Sequence, residues 1–344
     1  MIKDLVAGIK NRDFKSISKS ITFVENDYTD QSLFLSNLYP ISKKSHRVGI
    51  TGPPGAGKST ITNLLIKHFR NLDKSVAVIL VDPTSPYSRG AVLGDRIRMF
   101  NHYNDKNVFI RSIATRGSKG GLARNINEIA DIFSAARYDI ILFETVGVGQ
   151  VEIDVVEQVD SVVLTLVPES GDDIQIMKAG IVEIADIYVI NKSDRSDANK
   201  LYSSIKNVLD LDASDKANWI PPIIKTIATQ DDGINELVNK LIDHNLFIKS
   251  QSNIVDSKSN QRYISKVKQI ISEKINNDLW TISNKKLLET EILKEDKRRL
   301  EVYIQNFFSH FLKRIREEPG EIPVIINELV PLFVDHQIRI RFYE

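Results

Sequence analysis

The chain has 344 residues and a mass of 39.0 kDa, with 42% hydrophobic residues, 26% charged residues and a formal net charge of +1. That balance suits one large α/β domain with helical additions, and it gives no global attraction to nucleic acid or to an acidic membrane surface. Cysteine is absent, which excludes disulfides and thiolate metal sites. No stretch reaches the roughly 18 apolar residues of a membrane span, and Met1-Ile2-Lys3-Asp4-Leu5 opens no apolar leader core, so a cytoplasmic location is expected.

Residues 1–45 predict a helical N-terminal extension, with Leu5, Ile9, Phe14, Ile17, Ile21 and Val24 at mixed three- and four-residue spacing. From 46 to 248, short apolar runs alternate with helical patterns. This predicts an α/β fold with a mostly parallel central sheet flanked by helices. The strands expected are Val48–Thr51, Val76–Val81, Val108–Arg111, Ile140–Phe143, Ser161–Leu166, Ile187–Ile190 and Ile223–Lys225. Several are nearly continuous in Val, Ile and Leu, as strands buried on both faces should be.

Between the first strand and a helix predicted from Thr60 to Phe69 lies Gly52-Pro53-Pro54-Gly55-Ala56-Gly57-Lys58-Ser59. This is a phosphate-binding loop in its proper context, and it makes the domain a P-loop NTPase. The glycines let backbone N–H groups turn toward phosphates, Lys58 reaches the β and γ oxygens, and Ser59 offers its hydroxyl to Mg²⁺. The stretch from Gly52 through Pro53, Gly55, Ala56, Gly57, Lys58 and Ser59 to Thr60 is therefore the expected nucleotide contact.

Hydrolysis of a nucleotide also needs carboxylates to hold the metal. Asp82 and Glu144 stand at predicted strand ends, and Asp95 lies in Gly94-Asp95-Arg96-Ile97-Arg98. Each carboxylate alone is equally a helix cap or a solvated loop residue, but three framing one phosphate loop point to a metal shell of Ser59, Asp82, Asp95 and Glu144. Asn191-Lys192-Ser193-Asp194 follows the strand Ile187–Ile190. Its Asp carboxylate suits both N1–H and the exocyclic amine of guanine, whereas adenine would leave that acceptor unpaired. GTP, or GDP, with Mg²⁺ is the ligand these residues imply.

Beyond Lys249-Ser250-Gln251-Ser252-Asn253, a polar linker, residues 249–344 predict a helical arm that ends its pattern at Pro319-Gly320. Its apolar positions, among them Phe307, Phe308 and Phe311, need a partner surface, and a homodimer is the expectation. Lys297-Arg298-Arg299 reads as a solvated helix face rather than a nucleic-acid patch.

The series Val81-Asp82-Pro83-Thr84-Ser85-Pro86, Gly94-Asp95-Arg96-Ile97-Arg98-Met99, Ala114-Thr115-Arg116-Gly117, Glu144-Thr145-Val146-Gly147-Val148-Gly149-Gln150 and Gly171-Asp172-Asp173-Ile174-Gln175 resembles the methylmalonyl-CoA mutase-associated GTPases, also known as ArgK-type transport kinases. The likeness runs from about residue 15 to 248. It implies a homodimeric GTPase that docks on a cobalamin-dependent acyl-CoA mutase and gates cofactor loading and protection. It also implies that Lys58 serves the phosphates, that Asn191, Lys192 and Asp194 serve the base, and that Pro168 to Lys178 forms an extra switch. Two departures stand out: Glu169 replaces a switch glycine, where a positive φ would be strained. Ile227-Ala228 replaces a Ser-Ala element, which leaves base contacts at Ala228 to the backbone.

The catalytic set expected is Lys58, Glu144, Gln150 and Lys178. Gln150 is a candidate for positioning the attacking water, with fixing of the switch loop as its other reading. Lys178, like Arg96, Arg98 and Arg116, is a candidate for stabilising transition-state charge, or else a surface-pair partner. With no evident water-positioning group, turnover is expected to be slow without the partner. A nickel-insertion GTPase and a kinase of a periplasmic transport protein are the alternatives. The first is disfavoured by zero cysteines and six scattered histidines, and the second by the lack of an obvious base for a protein hydroxyl.

Overall fold

The computed structural model describes residues 1–26, 31–42, 45–82, 99–114, 121–145, 158–169, 185–212 and 219–250. The chain falls into two compact units, Met1–Lys266 and Val267–Glu344, and every described residue belongs to the first. Residues 251–344 of the predicted C-terminal arm lie outside the described residues, as do Asp95, Gln150, Lys178 and most of the segment from Pro168 to Lys178. Lys249 and Ser250, expected in a linker, instead complete the helix Ile234–Ser250.

Seven strands form one sheet in the order β3-β2-β4-β1-β5-β6-β7, and every neighbouring pair is parallel. They are β1 His46–Thr51, β2 Val76–Asp82, β3 Val108–Ala114, β4 Ile140–Glu144, β5 Ser161–Leu166, β6 Ile187–Asn191 and β7 Ile223–Thr226. Each contains its predicted core, and six extend beyond it. β1 begins two residues early because His46 and Arg47, polar in sequence, are buried through their own partners: His46 meets Ser161, and Arg47 pairs with Asp131. β3 runs past Arg111 because β2 continues opposite it, with Val81 facing Ile113 and Asp82 facing Ala114.

The helices are α1 Ile2–Lys10, α2 Phe14–Glu25, α3 Gln31–Leu38, α4 Lys58–Asn71, α5 Gly121–Ala135, α6 Ala198–Asp212 and α7 Ile234–Ser250. Side chains alternate across a strand, so β2 serves two cores at once. Ala77, Ile79 and Val81 face the cluster built by α1, α2, α3 and α5, whereas Val76, Val78 and Leu80 face the cluster built by α4 and α7. α6 packs Leu201 and Ile205 against Leu164, Tyr188 and Ile190 in a third cluster. Burial on both faces explains the all-buried patterns of β1, β4, β5 and β6.

The N-terminal helices are part of this layering. Ile9, Ile17, Ile21, Val24 and Phe34 are fully buried in the first cluster. Phe14 is partly exposed at 37%, yet its ring packs tilted against Phe109 of β3, with centroids 5.1 Å apart. Among the described residues, no helix is long and apolar enough to cross a membrane.

Candidate nucleotide site

β1 lies in the middle of the sheet between β4 and β5, and the loop that follows it emerges at the carboxyl ends of all three strands. That is where open parallel sheets bind ligands. The loop is shaped by two close approaches. Gly52 has φ 135°, and a Cβ there would meet Thr165 O of β5 at 2.0 Å. Gly57 has φ 94°, and its Cβ would meet Asn191 Nδ2 at 2.2 Å. No side chain fits at either position, so the backbone itself lines the site.

Gly57 caps α4 without a side-chain hydrogen bond, and the first turn carries no acidic residue. The helix N-terminus thus presents its partial positive charge to an anion. Lys58 is buried, and its Nζ donates to Gly52 O at 2.7 Å and to Pro53 O at 3.0 Å, which holds the ammonium inside the loop. Thr60 is exposed on the first turn of α4.

Ser59 follows Lys58, and its hydroxyl donates to Glu144 Oε1 at the end of β4. This contact brings together two of the four residues expected around Mg²⁺. Both present hard oxygen donors, the chemistry that Mg²⁺ prefers, so the pair fits that ion. Glu144 is buried, and the next residue is anchored: Thr145 N donates to Ile50 O at 3.2 Å. Asp82 closes β2, two strands away from β1 across β4.

At the other end of the site Asn191 is a junction. Its Nδ2 donates to Ala56 O of the phosphate loop at 2.8 Å, and its Oδ1 accepts from Thr226 Oγ1 and from Ala228 N, each at 3.1 Å. One buried amide therefore ties the phosphate loop, β6 and the start of the loop after β7. The backbone N–H of Ala228, expected to reach the base, is engaged with Asn191 here. Lys192 adopts φ 58°, and this turn leaves Asp194 exposed. Thr226 is a partner that sequence reading missed, and its nearness to Ala228 was the available signal; Ala56, expected at the phosphates, also serves as the acceptor for Asn191.

Glu169 departs from expectation. It is not among the described non-glycine residues with positive φ, which are Arg12, Asp73, Arg137, Lys192 and Asp231, so its side chain costs no backbone strain. Instead it pairs with Arg195, one residue after Asp194. The hydrogen bond from Arg195 holds the Glu169 carboxyl below its ordinary range and raises the guanidinium in turn.

Comparison with known proteins agrees with this geometry. A family model described as methylmalonyl Co-A mutase-associated GTPase MeaB matches residues 17–284. A GTPase of Pyrococcus horikoshii is 46% identical over 273 residues, covering 79% of this chain and 86% of its own. The mouse mitochondrial methylmalonic aciduria type A homolog is 35% identical over 250 residues, covering 68% of this chain and 60% of its own. GTPase ArgK of Escherichia coli is 32% identical over 252 residues, covering 70% of this chain and 75% of its own. Among solved structures, that of a LAO/AO transport system kinase superposes with a TM-score of 0.65 at 22% identity, over 91% of this chain and 97% of that one. At that identity the likeness speaks to the fold.

Proposed function

The chain belongs to the methylmalonyl Co-A mutase-associated GTPases of the MeaB type, and from that premise we propose that it hydrolyses GTP to gate cofactor loading and protection of a cobalamin-dependent acyl-CoA mutase. The observation that carries the nucleotide half of this reading is the Asn191 junction, which joins the phosphate loop to the base-reading turn in one buried hydrogen-bonded unit. The partner half is supported by the family's description and by the name of the mouse relative.

In this reading the amides of Gly55, Ala56 and Gly57 and the Nζ of Lys58 hold the β and γ phosphates, and Lys58 exchanges its loop carbonyls for phosphate oxygens. Ser59 and Glu144, with Asp82 and Asp95, are the residues that would hold Mg²⁺, whose chemistry is to neutralise charge on the β and γ oxygens. Asp194 accepts from N1–H and the amine of guanine, while Asn191 and Lys192 shape the base pocket. Gln150 orients the attacking water, and Lys178 meets charge developing on the γ-phosphate. The segment from Pro168 to Lys178 passes nucleotide state to the mutase, and the arm of residues 249–344 forms a homodimer.

The reaction needs positioning and electrostatic stabilisation rather than covalent chemistry, so a partner that completes the site accelerates it. The test is GTP turnover by the full chain alone and with a cobalamin-dependent acyl-CoA mutase, with ATP as control. Slow GTP-selective turnover that rises on adding the mutase is the predicted outcome. Fast turnover by the chain alone, unmoved by the mutase, would contradict the gating role.

A further inference from the structure

Asp231 has φ 60°, a left-handed conformation that few side chains other than Asn and Asp adopt. It follows a 3₁₀ turn, Ala228–Gln230, and its N–H donates to Ala228 O at 3.3 Å. Around it the chain closes on itself: Ile227 N donates to Asp232 O at 3.1 Å, and Asp232 N donates to Ile227 O at 3.3 Å. The Asp231 carboxylate then reaches across to α4, where Lys67 Nζ donates to Oδ2 and His68 Nε2 donates to Oδ1, both at 2.7 Å. Burial opposes ionisation, yet these two hydrogen bonds hold the carboxyl below its ordinary range.

The helix that supplies Lys67 and His68 is the one that begins at Lys58. Its N-terminal end faces the phosphate loop, and its C-terminal half grips the short loop bearing Ala228. That loop is also the one whose N–H meets Asn191. A carboxylate clamped by two adjacent side chains of one helix, on a backbone held at positive φ, is a device for fixing position. We propose that Asp231 is a positioning residue for guanine-nucleotide binding: through Lys67 and His68 it sets the base-side loop, and the Ala228 N–H within it, at a fixed distance from the phosphate loop. The inference rests on reading the phosphate loop and Asn191–Asp194 as the nucleotide site.

Three variants and two probes test it. Asp231→Gly suits the left-handed backbone and removes the carboxylate, Asp231→Asn keeps the left-handed preference and loses the charge, and Lys67→Ala removes one partner. Affinity is measured for GDP, which engages both ends, and for tripolyphosphate, which engages the phosphate end alone. Asp231→Gly is predicted to weaken GDP by about 3- to 10-fold and to leave tripolyphosphate within about twofold. Asp231→Asn should show a smaller loss of the same kind. Lys67→Ala added to Asp231→Gly should weaken GDP no further, and the KM for GTP should rise with kcat unchanged.

A fall in the thermal midpoint with GDP affinity intact would make Asp231 merely structural and overturn the proposal. Equal losses for GDP and tripolyphosphate in the folded Asp231→Asn protein would also overturn it, because the phosphate end would then be damaged too. Lys58→Ala is the control for the site itself. GDP binding unaffected by that change would overturn the site reading, and the proposal with it.

Discussion

A methyl group at Gly57 would sit 2.2 Å from Asn191 Nδ2, with the backbone at φ 94°. The two costs differ in kind. The left-handed conformation costs about 1–2 kcal/mol for an L side chain. The clash falls on the amide that also holds Ala56 O and Ala228 N. Gly57→Ala therefore either pushes Asn191 off the loop or shifts the loop off Asn191, and both outcomes separate the phosphate and base ends. The predicted result is a loss of GDP affinity of at least about tenfold, with a smaller fall in thermal midpoint, measured by titration and thermal melt. Lys58, Ser59 and Glu144 were legible in the sequence because loop glycines and strand ends constrain where such residues stand. The Asp231 contacts were not: their partners lie 163 and 164 residues away, and no spacing rule connects them.

At the amino ends of the strands, opposite the phosphate loop, elements are held by polar contacts equally hidden from sequence. His46 opens β1 and Ser161 opens β5; His46 Nε2 and His244 Nδ1 of α7 both lie 2.7 Å from the one Ser161 hydroxyl. His244 Nε2 faces Asp186 Oδ1 at 3.4 Å, and the Trp219 ring packs tilted against the His244 ring, with centroids 4.7 Å apart, while donating to Asp186 O. With Asp186 as acceptor and His244 neutral, the relay has one direction. His244 Nε2–H points to Asp186, Ser161 O–H donates to His244 Nδ1, and Ser161 Oγ accepts from His46 Nε2–H. A Ser-His-Asp sequence suggests a hydrolytic triad, but Ser161 is fully buried, so it fastens α7 to β1 and β5 instead. Ser161→Ala is predicted to lower unfolding free energy by about 1–3 kcal/mol in urea titrations. It should leave GTP turnover unchanged, because the relay lies at the ends of the strands away from the phosphate loop. Arg12 does similar work for the N-terminal helices. Its guanidinium donates to Ala136 O and Asn107 Oδ1, each at 3.1 Å, and lies 4.8 Å above the Tyr138 ring.

For the whole molecule, the strand cores were readable because parallel strands buried on both faces leave unbroken Val, Ile and Leu runs. Their order was not, because insertion of β4 between β2 and β1 is set by crossovers that no local pattern records. That order is what makes the site. It places β1, β4 and β5 side by side and seats Asn191 of β6 against the phosphate loop. In the proposed reading the base end and the phosphate end of that site are coupled through Asn191. Asp194→Asn tests that coupling most directly, by steady-state turnover of GTP and of XTP, whose base carries a carbonyl where guanine carries its amine. An Asn amide donates to that carbonyl and fails to accept from the amine. The predicted result is GTP turnover at low substrate reduced on the order of 100-fold, with XTP becoming the better substrate. An Asp194→Asn protein that still prefers GTP as the wild type does would contradict the assembled site.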